Sequence, residues 1–414
     1  MDRNDRTIAR FTMLGHATFH LYELTIPLFV VVWLETFDVS AAVLGTVVAV
    51  GYGLIGVGAL PSGVLADRYG SKRLVVLSMA GMGGGFVLVA LAPSIWLLGL
   101  ALVIWGAAAS LYHPAGLSLI TRGSAQQGTV LAYHGAAGNV GTAVGPLIAA
   151  LMLTFLEWRV VAGLFVVPAA IAILAATWLE FDERVDATEA ESATTGAADR
   201  LSSFIDRSRL LFVGGFLVMF TIAVLAGTYY RGLFTFLPGV LAGLPAFEPV
   251  EIAGETVEPS QYAYAGLLLI GAAGQYVGGR LSDTRSPERA IVVAFVALLA
   301  VTVLFPFVAG MGLLATVAVC AALGFFVFME VPIHQALIGE HVAADIQGLS
   351  FGYTYLGVFG IGAAGASIAG IAITYGGTPL LFGVLAAFPA LGLVLGGYLL
   401  VRSRSEYTVD CTSA

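Results

Sequence analysis

The chain has 414 residues, of which 59% are hydrophobic and only 11% charged, and its formal net charge is −8; soluble globular proteins carry roughly 25% charged residues. With a mean hydropathy of +0.94, these values exclude a soluble enzyme, a disordered chain, a coiled coil and a nucleic-acid-binding domain. What remains is an integral membrane protein with room for roughly a dozen helices of about 20 residues each. The 52 glycines fit helices packed in lipid, where small residues allow close backbone approach. Long unbroken apolar runs argue against an outer-membrane barrel, whose strands alternate. Cys320 and Cys411 lie in different settings, so no disulfide framework follows. Lys72 is the only lysine. An acidic, lysine-poor loop surface suits a high-salt cytoplasm, and biased codon usage would leave the same trace.

In chain order, apolar runs predict spans at 8–34, 41–66, 74–92, 95–121, 128–153 and 159–180, then at 210–237, 262–281, 290–308, 312–334, 348–375 and 378–401. Arg3, Arg6 and Arg10 precede the first run, but 11–34 is too long for a signal peptide's apolar region and contains His16, His20 and Glu23. It reads as span 1. The polar stretch 181–209 reads as a flexible cytoplasmic linker between a bundle at 1–180 and a second at 210–401, with 402–414 as a cytoplasmic tail. With the N-terminus inside, every basic residue except Arg159 and Arg231 falls on the cytoplasmic side, as the positive-inside rule requires. Glu248, Glu251, Glu255 and Glu258 then lie in an outer loop. The expectation is an all-α polytopic protein in a prokaryotic cytoplasmic membrane, with twelve spans and both termini cytoplasmic.

The halves repeat. Gly63 and Asp67 end span 2 as Gly279 and Asp283 end span 8. Pro27 follows His20 by the same interval at which Pro238 follows Arg231, and His113-Pro114 answers Val331-Pro332. Gly128, Tyr133 and Gly145 match Gly348, Tyr353 and Gly365. Two duplicated six-helix halves mark a secondary transporter with its site between them.

The segment Gly63-Val-Leu-Ala-Asp67-Arg68-Tyr69-Gly70-Ser71-Lys72-Arg73 resembles the loop 2–3 signature of the major facilitator superfamily. The likeness extends over essentially the whole chain and implies two pseudo-symmetric six-helix bundles. In that family the motif makes charge pairs across the half-bundles that hold the cytoplasmic side closed, so the resemblance implies gating by Gly63, Asp67, Arg68, Gly70, Lys72 and Arg73, with a weaker counterpart at Gly279 and Asp283. Span 5 contains Gly138-Asn139-Val-Gly141-Thr-Ala-Val-Gly145-Pro146, similar to the glycine-rich motif of the family's drug:proton antiporters. Ala149 and Ala150 replace its final glycines, and Leu102 stands where antiporters often carry an arginine four residues before Gly106. The segment Leu111-Tyr112-His113-Pro114-Ala115-Gly116, with His20 and Asn139, is similar to the fosmidomycin-resistance-type branch.

Ionisable groups inside a membrane are costly and are functional candidates by default. His16, His20 and Glu23 share one face of span 1. Two histidines and a carboxylate could ligate Zn²⁺, but no cysteine or further acidic cluster joins them and no metal is assigned. Arg231, if it lies at the depth of His20, needs an anion: Glu23, Glu330, or a substrate carboxylate or phosphate; if span 7 ends near it, it is a snorkelling anchor at the outer interface. Glu330 and His334 lie one turn apart on span 10, and histidine titrates near neutrality. His16, His20, Glu23, His113, His134, Asn139, Arg231, Glu330, His334 and Tyr353 are therefore the candidates for substrate cavity and proton coupling. Among them, the arginine, histidines and tyrosine suit an anionic or zwitterionic small molecule.

The reading is a monomeric, alternating-access secondary transporter, expected to export a drug or metabolite with a proton, or Na⁺, as coupling ion and no other cofactor. The alternatives are an importer of an organic anion and, in another class, a non-transporting sensor or membrane-embedded enzyme. No Walker A sequence, nucleophile elbow or zinc-protease motif appears, and no nucleic-acid partner is expected.

Overall fold

The computed structural model describes residues 1–183, 205–212, 215–342 and 347–412, with the backbone alone at 347–348 and 404–412. Most of the expected linker, 184–204, lies outside the described residues.

The first half consists of α1 (Arg3–Thr36), α2 (Ala41–Tyr69), α3 (Ser71–Leu91), α4 (Ile95–Ala109), α5 (Tyr112–Gly123), α6 (Gln127–Leu153), α7 (Trp158–Leu164) and α8 (Val166–Thr177). The second follows a short helical stretch at 205–212 and contains α9 (Phe216–Ala242), α10 (Pro259–Thr284), α11 (Pro287–Val308), α12 (Leu313–His341) and α13 (Gln347–Tyr355). A π-helical turn (Leu356–Ile361) leads to α14 (Ala364–Thr412).

Ten helical segments are long and apolar enough to cross a membrane. One of these, Leu349–Ser403, breaks at Gly377, whose φ of 64° is non-helical, and so supplies two spans. The twelfth is α10, more polar than most of the others but 26 residues long and packed on α12. Spans 4 and 6 are each broken in two, at Ser110-Leu111 and at Phe165. Both halves of each stay in line, so the twelve expected spans stand.

The boundaries differ from the sequence reading in ways that local chemistry explains. The first helix begins at Arg3, because the Asp2 side chain accepts a hydrogen bond from the Asp5 N–H at 2.7 Å, satisfying one of the orphan donors of a helix start. Asp5 then accepts from the N–H groups of Ala125 and Gln126 at 2.9 and 3.2 Å, capping α6. The last helix continues to Thr412 instead of ending near 401. The acidic loop before α10 holds a two-stranded hairpin, β1 (Val250–Ile252) and β2 (Glu255–Val257), turned at Ala253-Gly254 with both φ positive.

Hydrogen bonds join the two halves near the starts of α2 and α10. There Ala42 N–H donates to Thr374 Oγ1 at 2.9 Å, Thr46 and Ser367 hydroxyls lie 2.8 Å apart, and Thr154 and Tyr262 hydroxyls lie 3.0 Å apart. Further along α2 the halves still touch: a Cβ built on Gly352 of α13 would lie 3.5 Å from the Leu60 side chain.

Candidate functional site

Close helix approach builds the site. A Cβ on Gly141 would lie 2.8 Å from Ala17 Cα and closer still to the Ala17 carbonyl oxygen, and one on Gly145 would lie 2.7 Å from Leu21 Cα. Only glycine lets α1 lie so near α6. Pro146 follows inside the same helix. The span 5 motif is thus the seat of α1, and it sets His16 against α6. The His16 ring stacks on His134 with centroids 3.8 Å apart, and His16 Nδ1 donates to the His134 carbonyl at 2.7 Å. His134 donates from Nε2 to the Tyr112 hydroxyl at 3.1 Å, and that hydroxyl donates to the Thr12 carbonyl at 2.6 Å.

One turn along α1, His20 Nε2 lies 3.1 Å from His16 Nε2, and His20 Nδ1 lies 2.6 Å from Glu23 Oε2. The other Glu23 oxygen accepts from Arg231 of α9, so the ion pair crosses between the halves. Both side chains are almost fully buried, Glu23 at 1% and Arg231 at 4% exposure. The guanidinium lies 4.0 Å from the centre of the Tyr52 ring, with Phe359 and Tyr230 at 5.3 and 5.4 Å. Tyr52 Oη donates to the Glu23 carbonyl at 2.9 Å, and Tyr264 Oη donates across the interface to the Leu24 carbonyl at 3.2 Å. His113 stands over this group, with ring centroids 5.3 Å from His16 and 5.8 Å from His20. Tyr355 and Phe359 of the other half are its neighbours at 5.1 and 5.8 Å.

His16, His20, Glu23, His113, His134 and Arg231 therefore form one group. The other four candidates do not join it. Glu330 and His334, both on α12, pair with each other at 3.5 Å and are buried. Tyr353 donates to Ser208 Oγ at 2.9 Å, beside the 205–212 stretch. Asn139 is half-buried next to Gly138, and among the described residues its side chain makes no hydrogen bond. Tyr52, Tyr112, Tyr264, Tyr355 and Phe359 complete the group but were not singled out from sequence. The available signal was a hydroxyl in an apolar run, which must find a partner once buried.

The loop 2–3 segment forms a cleft of about 330 Å³ lined by Asp67, Arg68, Gly70, Arg73, Arg122 and Glu183. Gly70, at φ 88°, makes the turn between α2 and α3 that other residues rarely adopt. Asp67 pairs at 2.6 Å with Arg122 of the same half. That differs from the expected pairing across the halves: among the described residues Asp67 makes its ion pair within its own half. Lys72 Nζ donates to the Leu179 carbonyl at 2.6 Å, and Glu183 accepts from Ser71 N–H at 2.7 Å. Arg68 lies over Tyr69 at 5.3 Å. Asp283 is exposed and makes no ion pair among the described residues.

Twelve membrane helices in two halves, joined by a buried ion pair at their interface, define a polytopic transport protein. The family model of the Major Facilitator Superfamily matches residues 12–366, and the chain belongs to that superfamily. It is similar to the fosmidomycin resistance protein of Escherichia coli (strain K12), with 23% identity over 344 residues, 80% of this chain and 78% of that one. A multidrug resistance protein of Yersinia pestis (strain Pestoides F) is 30% identical over 122 residues, 28% of each chain. The fold matches a bacterial homolog of the human lysosomal transporter Spinster in its inward-facing, occupied conformation, with a TM-score of 0.70, 15% identity and 98% of both chains covered. The protein is a multi-pass membrane transporter of a small-molecule solute, and its family is not one of enzymes.

Proposed function

We propose that this transporter exports a small anionic or zwitterionic organic molecule in exchange for protons. The observation that carries the reading is the Glu23–Arg231 pair, buried and bridging the two halves. A substrate carboxylate or phosphate can take the guanidinium from Glu23, because arginine's planar fork matches either anion. Such an exchange loosens one link between the halves as the solute binds, which is what rocking about a central site requires. The aromatic faces of Tyr52, Tyr230 and Phe359 around Arg231 hold a cation that is alternately paired with protein and with solute.

A proton seat is supported by α12. Glu330 Oε1 and both ring nitrogens of His334 are buried without a hydrogen-bond partner among the described residues. Unmet buried polar groups cost free energy, and a shared proton, with water admitted as the halves part, relieves that cost. The export direction is supported by the relatives named for drug resistance. With the N-terminus cytoplasmic, the hydrogen-bonded contact at Thr46 and Ser367 lies on the outer side, which supports an inward-facing reading.

The test is binding and transport by Arg231→Lys. Losing one partner of a buried charge pair costs about 2–5 kcal/mol, roughly tens-fold to thousands-fold in affinity. Arg231→Lys should raise the solute Kd by at least ten-fold while the protein stays folded. An unchanged Kd would refute the anion assignment. In proteoliposomes, Glu330→Gln should abolish solute movement driven by a pH gradient and keep solute exchange without one. Uptake of solute in the same direction as the proton would replace the export reading with organic-anion import.

A further inference from the structure

Proton placement in the histidine group follows from its hydrogen bonds. A carbonyl can only accept, so His16 carries its proton on Nδ1, facing the His134 carbonyl. His20 Nδ1 faces a Glu23 carboxylate that is also held by Arg231, so this ring too donates from Nδ1. A neutral imidazole has one N–H. Both Nε2 atoms are therefore bare, and they face each other at 3.1 Å. Two lone pairs at that distance repel unless an electrophile lies between them. A third donor stands beside them: ligand atoms of His16, His20 and His113 all lie within 4.8 Å of one another. His113 makes only ring contacts among the described residues, including the Phe19 ring at 4.4 Å.

We propose that His16, His20 and His113 form a binding site for a divalent first-row transition-metal ion, with Zn²⁺ as the reference case. Imidazole nitrogen suits Zn²⁺, Cu²⁺, Ni²⁺ and related ions. Metal-ligating histidines donate their other ring N–H to a carbonyl or carboxylate, which fixes the tautomer. His16 and His20 do so here, one to each kind of acceptor. Zn–N bonds of about 2.0–2.1 Å at a tetrahedral angle set two nitrogens about 3.3 Å apart, a small opening of the observed pair. Three protein nitrogens leave a fourth position for water or solute, and His20 keeps 18% of its side chain accessible. The sequence reading assigned no metal because no cysteine or further acidic cluster joins the donors of α1; the fold brings a third histidine from α5. Glu23 then joins the ion to Arg231, one oxygen orienting His20 and the other holding the guanidinium.

The test uses the purified full-length protein, stripped with chelator and titrated with Zn²⁺ alone and Co²⁺ alone. The expected result is one Zn²⁺ per chain, and with Co²⁺ the intense visible bands of a tetrahedral site, displaced by Zn²⁺. His113→Gln should weaken Zn²⁺ at least ten-fold, and His16→Gln with His20→Gln should abolish stoichiometric uptake. His341→Gln, which alters a histidine 3.1 Å from Glu288 on another pair of helices, should leave the affinity unchanged. A wild-type chain that takes up no Zn²⁺ and shows no Co²⁺ bands overturns the site and leaves a shared proton between His16 and His20. Zn²⁺ binding that survives loss of His113, or that falls equally in His341→Gln, also overturns it. The wild-type spectrum needs no variant, so a variant that fails to fold cannot mask the outcome. Transport is not read, so this site and the Arg231 assignment stand or fall separately.

Discussion

Glu23 touches three groups at once: His20 and Arg231 through its carboxylate, and the Tyr52 hydroxyl through its backbone carbonyl. Removing its charge leaves Arg231 buried without a counter-ion. Breaking such a pair from one side costs about 3–5 kcal/mol, whereas replacing both partners is far milder. Glu23→Gln should therefore lower the melting temperature in detergent sharply, and Glu23→Gln with Arg231→Gln should recover most of the loss. Equal melting of the single variant and wild type would remove the structural part of the pair's role. Asp67 is the opposite case. Its side chain is 66% exposed and that of its partner Arg122 is 36% exposed, so the pair contributes only about 0–1 kcal/mol. Asp67→Asn should melt as wild type does and still slow transport in proteoliposomes, the outcome that the expected gating role of the loop 2–3 motif requires. A wild-type rate would end the gating assignment. Much of this was legible in sequence: each ionisable group inside an apolar run stood out by its cost, and the spacing of His16, His20 and Glu23 gave a shared face. Azimuth was not legible. The internal repeat fixes how deep Tyr353 and Glu330 sit, but not which way a helix is turned about its axis, and both face away from the histidine group.

The contact of α1 with α6 depends on small residues. At Gly141 an added Cβ would press on the Ala17 backbone, which cannot move aside as a side chain can. Overpacking of this kind costs about 1–3 kcal/mol, so Gly141→Ala should destabilise the protein and push His16 off His134. Gly135, on the same helix, has nothing within 4 Å, and Gly135→Ala should be neutral or stabilising by about 0.5–1 kcal/mol. Thermal melts of the two variants side by side check this; indistinguishable melts would mean that the glycine seat is not what positions α1. The twelve spans were readable from hydropathy because lipid imposes their length. The breaks at Ser110-Leu111 and Phe165 were not, since a helix interrupted by one or two residues keeps its apolar pattern. The hairpin at 250–257 escaped as well: its strands are three residues each, too short for alternation to register.

Across the molecule, the hydrogen bonds that join the halves gather at the Thr46 end and around Glu23. Thr46 and Ser367 mark the first of these, with hydroxyls 2.8 Å apart. Thr46→Cys with Ser367→Cys, in a background lacking Cys411, should cross-link on mild oxidation and arrest solute movement, and a reductant should restore it. Transport that continues through the cross-link would refute rocking about this interface. Sidedness is tested with Thr256→Cys on the hairpin, an exposed position. A membrane-impermeant thiol reagent applied to intact cells should label it, and protection until the cells are broken would invert the topology.

The first turn of α1 acts well beyond its own helix. Asn4 donates to the Gly123 carbonyl and accepts from the Asp182 N–H, while Asp5 holds the start of α6. Four or five residues at the extreme N-terminus thus clasp segments more than a hundred positions away. Removing Asp5 would strip acceptors from Ala125 and Gln126 and loosen the packing of α1 against the start of α6.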